Sequence, residues 1–115
     1  MPYFSITTNA SLDQDSAAEL AQNASAFAAE LLGKAEAYVM AAVSANATMT
    51  FAGSDAPTAF IELRSIGLSE DQCNAFAAVI SDFVRTALGI EPGRVFIDFR
   101  DLQRRCFAWN GKTFA

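Results

Sequence analysis

The second residue of the chain is a proline, and it precedes a short strand-like run, Tyr3-Phe4-Ser5-Ile6-Thr7-Thr8. Removal of the initiator methionine would leave Pro2 with a free secondary amine at the very start of a strand. That amine is either a catalytic group or a chain end of no consequence, and the rest of the sequence has to decide. There is no histidine, which excludes Ser-His and Cys-His nucleophilic machinery, histidine metal sites and imidazole proton shuttling. A base working near neutral pH must then be a perturbed carboxylate, a perturbed lysine or an α-amino group. Of these, only the amino terminus has a reference pKa, about 7.7–8.0, already close to that pH.

Other candidate groups are sparse. Cys73 and Cys106 lie far apart with no motif partner, so no cysteine-pair metal site or redox motif is written here, and no cofactor is expected. Lys34 follows Gly33 and reads locally as a cation at a helix C-terminus, stabilised by the macrodipole. Five of the eight basic residues (Arg94, Arg100, Arg104, Arg105 and Lys112) crowd the last 22 positions, interleaved with Asp98 and Asp101. Local ion pairing accounts for them better than a binding patch. The net charge of −5 argues against a nucleic-acid or anionic-membrane partner.

The elements that must position these groups form one domain, residues 1–115, large enough for a single core. No apolar run of about 18 residues is present to span a membrane. The first 20 residues lack the basic start and apolar stretch of a signal peptide, so a cytoplasmic protein is expected, with export that bypasses such a signal left open. Ser11-Leu12-Asp13-Gln14 has the pattern of a capping box. It opens a helix whose stripe is Ala17, Leu20, Ala21, Ala24, Phe27, Ala28 and Leu31, closed by Gly33. Tyr38 to Val43 reads as a strand buried on both faces. Asn46 to Pro57 is a connection, and Thr58 to Ile66 is a second strand that alternates Ile61 and Leu63 against Glu62 and Arg64. Ser69-Glu70-Asp71-Gln72 repeats the capping-box pattern before a helix with Phe76, Ile80, Phe83, Val84 and Ala87 inward. Asn110-Gly111 is a hairpin turn signal.

The halves are copies of one unit. Phe4 and Phe60, Phe27 and Phe83, Gly33 and Gly89, and Val39 and Val95 all stand 56 residues apart, whereas the capping serines 11 and 69 stand 58 apart, a two-residue change at the helix start. Each half is strand, helix, strand, a connection that implies a parallel pair. The fold expected is α+β: a duplicated β-α-β unit, a four-stranded mixed sheet with two helices on one face. The other face would carry Tyr38, Met40, Phe60, Glu62, Arg64, Phe96, Asp98 and Arg100. A face that mixes apolar and ion-paired residues suggests burial against other subunits.

Taken in order, Met1-Pro2 with Thr8-Asn9, Leu32-Gly33-Lys34, Met49 through Pro57, Ser65-Ile66-Gly67, Arg94-Val95-Phe96-Ile97 and Trp109 through Ala115 resemble the tautomerase superfamily, in particular the macrophage migration inhibitory factor and phenylpyruvate tautomerase family. The resemblance covers the whole chain. It implies a homotrimer and a keto–enol tautomerase acting on aryl α-keto acids such as phenylpyruvate and 4-hydroxyphenylpyruvate. Pro2 is then the general base and Lys34 holds the substrate carboxylate and offsets enolate charge. The Ile66 backbone N–H is a further carboxylate contact, and Tyr38, Trp109, Phe114 and a neighbouring subunit's Phe96 form the wall.

Two departures from the family bear on that pocket. Phe96 stands where the animal cytokine has tyrosine, and Asp98 where it has asparagine. A negative charge there should weaken binding of anionic substrates unless Asp98 is paired, with Arg100 or Arg64. Thr58 and Ile61 occupy the places of a Cys-x-x-Cys, so no thiol-disulfide activity of that type is expected. The alternative to an enzyme is a cytokine-like binding or signalling trimer with a vestigial or regulatory pocket, although no residue here supports a protein receptor.

Overall fold

The computed structural model describes residues 1–115. Strand β1 (Tyr3–Thr8) leads to helix α1 (Gln14–Leu32), strand β2 (Met40–Ser44), strand β3 (Ala59–Ile66), helix α2 (Glu70–Leu88) and strand β4 (Val95–Leu102). A short hairpin, β5 (Ala108–Trp109) and β6 (Lys112–Thr113), closes the chain. Three single 3-10 turns, Glu36–Tyr38, Pro92–Arg94 and Arg104–Cys106, precede β2, β4 and β5.

The helix ends correct the sequence expectation. The residue capping α1 is Asp13, not Ser11: its carboxylate Oδ1 accepts from the Ser16 N–H at 2.7 Å. Serine and aspartate both cap well, and the pattern at Ser11 is outbid because the chain turns into the helix only after Asp13. At α2 the expected capping box forms in full, with Ser69 and Gln72 each satisfying the other's backbone N–H. Gly33 and Gly89 end the two helices at φ of 64° and 69°, left-handed values that suit glycine. With Asp13 as the first cap, the two caps are 56 residues apart like every other pair, and so are both ends of the helices and the 3-10 turns that follow them. The two-residue change inferred for the helix start does not exist.

The four long strands run in the order β2-β1-β3-β4. Each strand–helix–strand unit pairs its strands in parallel, Phe4 beside Ala41 and Ile61 beside Ile97, while β1 and β3 meet antiparallel with Phe4 opposite Leu63. Alternation then places Phe4, Ile6, Ile61 and Leu63 on one face, where all are buried with Leu20, Ala24 and Ala28 of α1 and Ile80 and Val84 of α2. Both helices therefore cover the same face. At its centre Phe4 meets Phe27 and Phe83 edge-on, and those two rings, one from each helix, stack at 4.2 Å. Ala87 proves to be exposed rather than inward.

A second correction concerns the run from Tyr38. Tyr38 ends a 3-10 turn, and the strand starts two residues later at Met40. Because β2 is an edge strand, it is not buried on both faces: Met40 is 67% exposed. The face opposite the helices carries Met40 and Phe96, the latter 61% exposed, together with two ion pairs, Arg64–Glu62 at 3.3 Å and Arg100–Asp98 at 3.0 Å. The loop from 45 to 58 is held by Arg94. Its guanidinium donates to the carbonyls of Phe51, Ser54, Ala56 and Pro57 at 2.8–3.2 Å. No helix is long and apolar enough to cross a membrane.

Candidate active site

The site is built where β1 begins. Pro2 is buried, and its carbonyl accepts from the Met40 N–H at 3.0 Å, which fixes the chain's start against the edge strand β2. The C-terminal hairpin folds over this corner. Asn110 and Gly111 take φ of 52° and 83°, the pair of positive values a two-residue hairpin turn requires, and this presents Trp109 to Tyr38, ring edge to ring face at 5.7 Å. Between them opens a cleft of ≈ 580 Å³ whose lining includes Pro2, Tyr38, Met40, Arg64, Phe107 and Trp109. That volume lies within the range of small-molecule sites, and so does an apolar lining with few polar groups.

Lys34 enters from the end of α1. Its backbone N–H completes the helix terminus on the Ala29 carbonyl at 3.0 Å, but its side chain leaves the helix for the end of β3. The ammonium donates to Ser65 Oγ at 2.7 Å and to the Ile66 carbonyl at 2.9 Å. An ammonium has three donors, so one remains for a ligand. The local reading of Lys34 as a macrodipole cation is therefore incomplete: the lysine is held by the strand that carries residues 65 and 66.

Three of the charges in this corner, the Met1 amine, Lys34 and Arg104, are positive and repel one another, and the first two are partly desolvated. Burial, then Lys34, then Arg104 hold the Met1 α-amino group below its ordinary pKa. Lys34 is likewise lowered, by burial first and then by Arg104. Each effect disfavours the charged form. An amine in this environment is neutral, and hence basic, over more of the neutral pH range than a free chain end.

Of the residues singled out from sequence, Pro2, Tyr38 and Trp109 line the cleft. Lys34 and Ile66 are joined to each other and are not in the lining. Phe114 lies behind the wall: it stacks on Phe107 at 6.0 Å, and its N–H donates to the carbonyls of Arg104 and Phe107. Phe96 and Asp98 are not in the lining of the single chain. Phe96 rests against Phe51 at 5.0 Å, and Asp98 is bound to Arg100, one of the two partners considered for it. Met40, Glu62, Arg64, Phe107 and Arg104 were not among the expected site residues. Alternation had already put Met40, Glu62 and Arg64 on the open face. What the sequence lacked was the fold of the hairpin over that face.

Duplicated β-α-β halves, a proline at the head of the first strand and an aromatic-walled cleft over it define the class of protein. The chain belongs to the macrophage migration inhibitory factor family, whose model matches residues 1–115. It is 37% identical over 115 residues to a macrophage migration inhibitory factor homolog of Brugia malayi, covering 99% of each chain. It is 33% identical to the macrophage migration inhibitory factor of Mus musculus over the whole of both. Among solved structures it is similar to the homologue from Prochlorococcus marinus, with a TM-score of 0.89 and 35% identity, over 98% of this chain and 99% of that one.

Proposed function

We propose that the protein is a keto–enol tautomerase of aryl α-keto acids such as phenylpyruvate, with Pro2 as general base once Met1 is removed. The observation that carries this reading is the conjunction of a buried proline and two aromatic rings around a ≈ 580 Å³ cleft with a lysine, outside the lining but with one uncommitted donor, whose charge acts on the amino terminus. With Met1 attached, the Pro2 nitrogen is an amide and has no lone pair to offer. Without it, the nitrogen is a secondary amine in a desolvated, cationic corner, where its neutral form is favoured.

In the ketonisation direction Pro2 accepts the enol hydroxyl proton and returns a proton to the adjacent carbon, leaving the amine unchanged over the cycle. Lys34 holds the substrate carboxylate and meets the charge that develops on the enolate oxygen. The Ile66 N–H supports the same carboxylate, and Tyr38, Trp109 and Phe114 form or back the aryl wall. The open sheet face, with Met40 and Phe96 exposed, supports a homotrimer in which the next chain brings Phe96 and Asp98 to the cleft. No cofactor enters this scheme.

The test begins with an intact mass that establishes loss of Met1, followed by ketonisation of enol phenylpyruvate. Pro2→Gly in the processed protein is expected to lose on the order of a hundredfold or more in kcat. Undiminished turnover in that variant would overturn the assignment.

A further inference from the structure

Arg64 lines the same cleft, and its hydrogen bonding is incomplete. Its Nη2 reaches Glu62 Oε2 at 3.3 Å, long for a charge-assisted bond. Its guanidinium carbon sits 5.8 Å from the centre of the Tyr3 ring. The Nε is enclosed and has no partner, the one buried side-chain nitrogen or oxygen in the molecule left so. Buried donors are nearly always satisfied, and an exception calls for a reason.

The neighbours do not supply one. Glu62 is already shared with Ser5 Oγ at 3.4 Å. Arg100 stands beside Arg64 in the β3–β4 register, but its Nε is bound to Asp98 at 3.0 Å and it does not line the cleft. Arg64 is therefore the guanidinium in the cleft's lining, and it has donors to spare. Its Nε and Nη2 form the planar edge that a carboxylate grips with two parallel bonds.

Its place in the fold sets what that carboxylate belongs to. Arg64 is opposite Tyr3 across β1 and β3, one residue from Pro2, while the Lys34 ammonium is bound to the two residues that follow it. Two cations thus flank the proline, one at the end of β3 and one on its open face.

We propose that Arg64 is a specificity-determining residue that binds a second carboxylate, so that the preferred substrates are α-keto acids with an acid group at the end distant from the keto function. Lys34 takes the keto-acid carboxylate and Arg64 the distal one. The inference rests on the tautomerase reading for the reaction, but not for the binding.

The experiment compares phenylpyruvate with its 4-carboxy analogue on Met1-processed protein. Arg64→Met is expected to lower kcat/KM for the carboxylated substrate roughly tenfold more than for phenylpyruvate, the scale of one lost charge-assisted contact. Arg64→Lys, which keeps the charge without the planar edge, should recover only part of the difference. Terephthalate titrated into the wild-type protein should shift the NMR signal of the Arg64 Nε–H. Equal losses on both substrates, or a change of oligomer mass in Arg64→Met without a change in the substrate ratio, would assign Arg64 to structure or to a subunit contact and overturn the proposal. A terephthalate shift without turnover by the wild type would remove the tautomerase reading and leave the binding inference standing. Turnover with an unchanged substrate ratio would do the reverse.

Discussion

The Lys34 ammonium donates to Ser65 Oγ at 2.7 Å, tying the residue after the first helix cap to the end of β3. Ser65 is fully buried, so its hydroxyl has no water to fall back on, and the bond orients the lysine that the proposed chemistry needs. Ser65→Ala is expected to destabilise the fold by about 2 kcal/mol, the scale of a hydrogen bond to a charged group. It should also raise KM for an α-keto acid several-fold. Urea unfolding and steady-state kinetics check the two effects, and a variant with wild-type KM would show that the Ile66 carbonyl alone holds Lys34.

Arg104 acts on the same corner through its charge. It lowers the pKa of both the Met1 amine and Lys34, after burial in each case and after Lys34 in the first. Arg104→Gln should move both groups back toward their ordinary values, read by NMR titration of the chain with Met1 in place. The sign for stability follows from linkage. A group whose folded pKa is depressed contributes stability above its unfolded pKa and loses it as pH falls through the folded one. For the amine, stability therefore rises with pH across a window that ends near its unfolded value of about 7.7–8.0. The variant should flatten that rise. An unchanged slope would mean that burial and Lys34 account for all of it.

The helix caps give a test of the corrected boundary. Ser69→Ala should cost about 1 kcal/mol, and Ser11→Ala should cost nothing measurable. Asp13→Ala should destabilise, while Asp13→Asn keeps the cap. Hydrogen bonds from the backbone and side chain of Ser16 lower the Asp13 pKa. Its contribution is thus present above the unfolded carboxylate pKa of about 3.9 and fades as pH falls through the folded value. Thermal melts of the Asn variant between pH 2 and 7, conditions chosen to bracket that range, should lack this acid-side loss. A wild-type-like melt for Asp13→Ala would return the cap to Ser11.

Much of the architecture was legible because it depends on local periodicity and on residues with few conformational options. Gly33 and Gly89 sit where left-handed backbone is needed, Ile61 and Leu63 alternate with Glu62 and Arg64, and Asn110-Gly111 makes the turn its type demands. The parallel pairing followed from the strand–helix–strand connection within each half. Two expectations failed for local reasons. Ser11 and Asp13 are both good caps two residues apart, so composition alone does not choose between them. Tyr38 belongs by type to a strand, but the chain is still finishing a 3-10 turn there.

The site was less legible because its walls come from distant segments. Pro2 and Trp109 are neighbours only after the hairpin folds back over β2. Arg64 and Arg104 carry no motif, and each is marked only by what surrounds it in three dimensions. For Arg64 that mark is an unpartnered nitrogen, and for Arg104 it is two nearby amines.

The constant 56-residue offset gives each first-half residue of this corner a counterpart in the second half of the chain. The counterpart of Lys34 is Ile90, 1% exposed in the core. The counterpart of Pro2 is Thr58, whose hydroxyl donates to the Arg94 carbonyl at 2.7 Å. The counterpart of Tyr38 is Arg94 itself, clamped on four carbonyls. The second copy has closed its version of the cleft and turned it into a joint that secures the long loop. One repeat secures a loop through Arg94, and its twin keeps an opening at Pro2 and Tyr38.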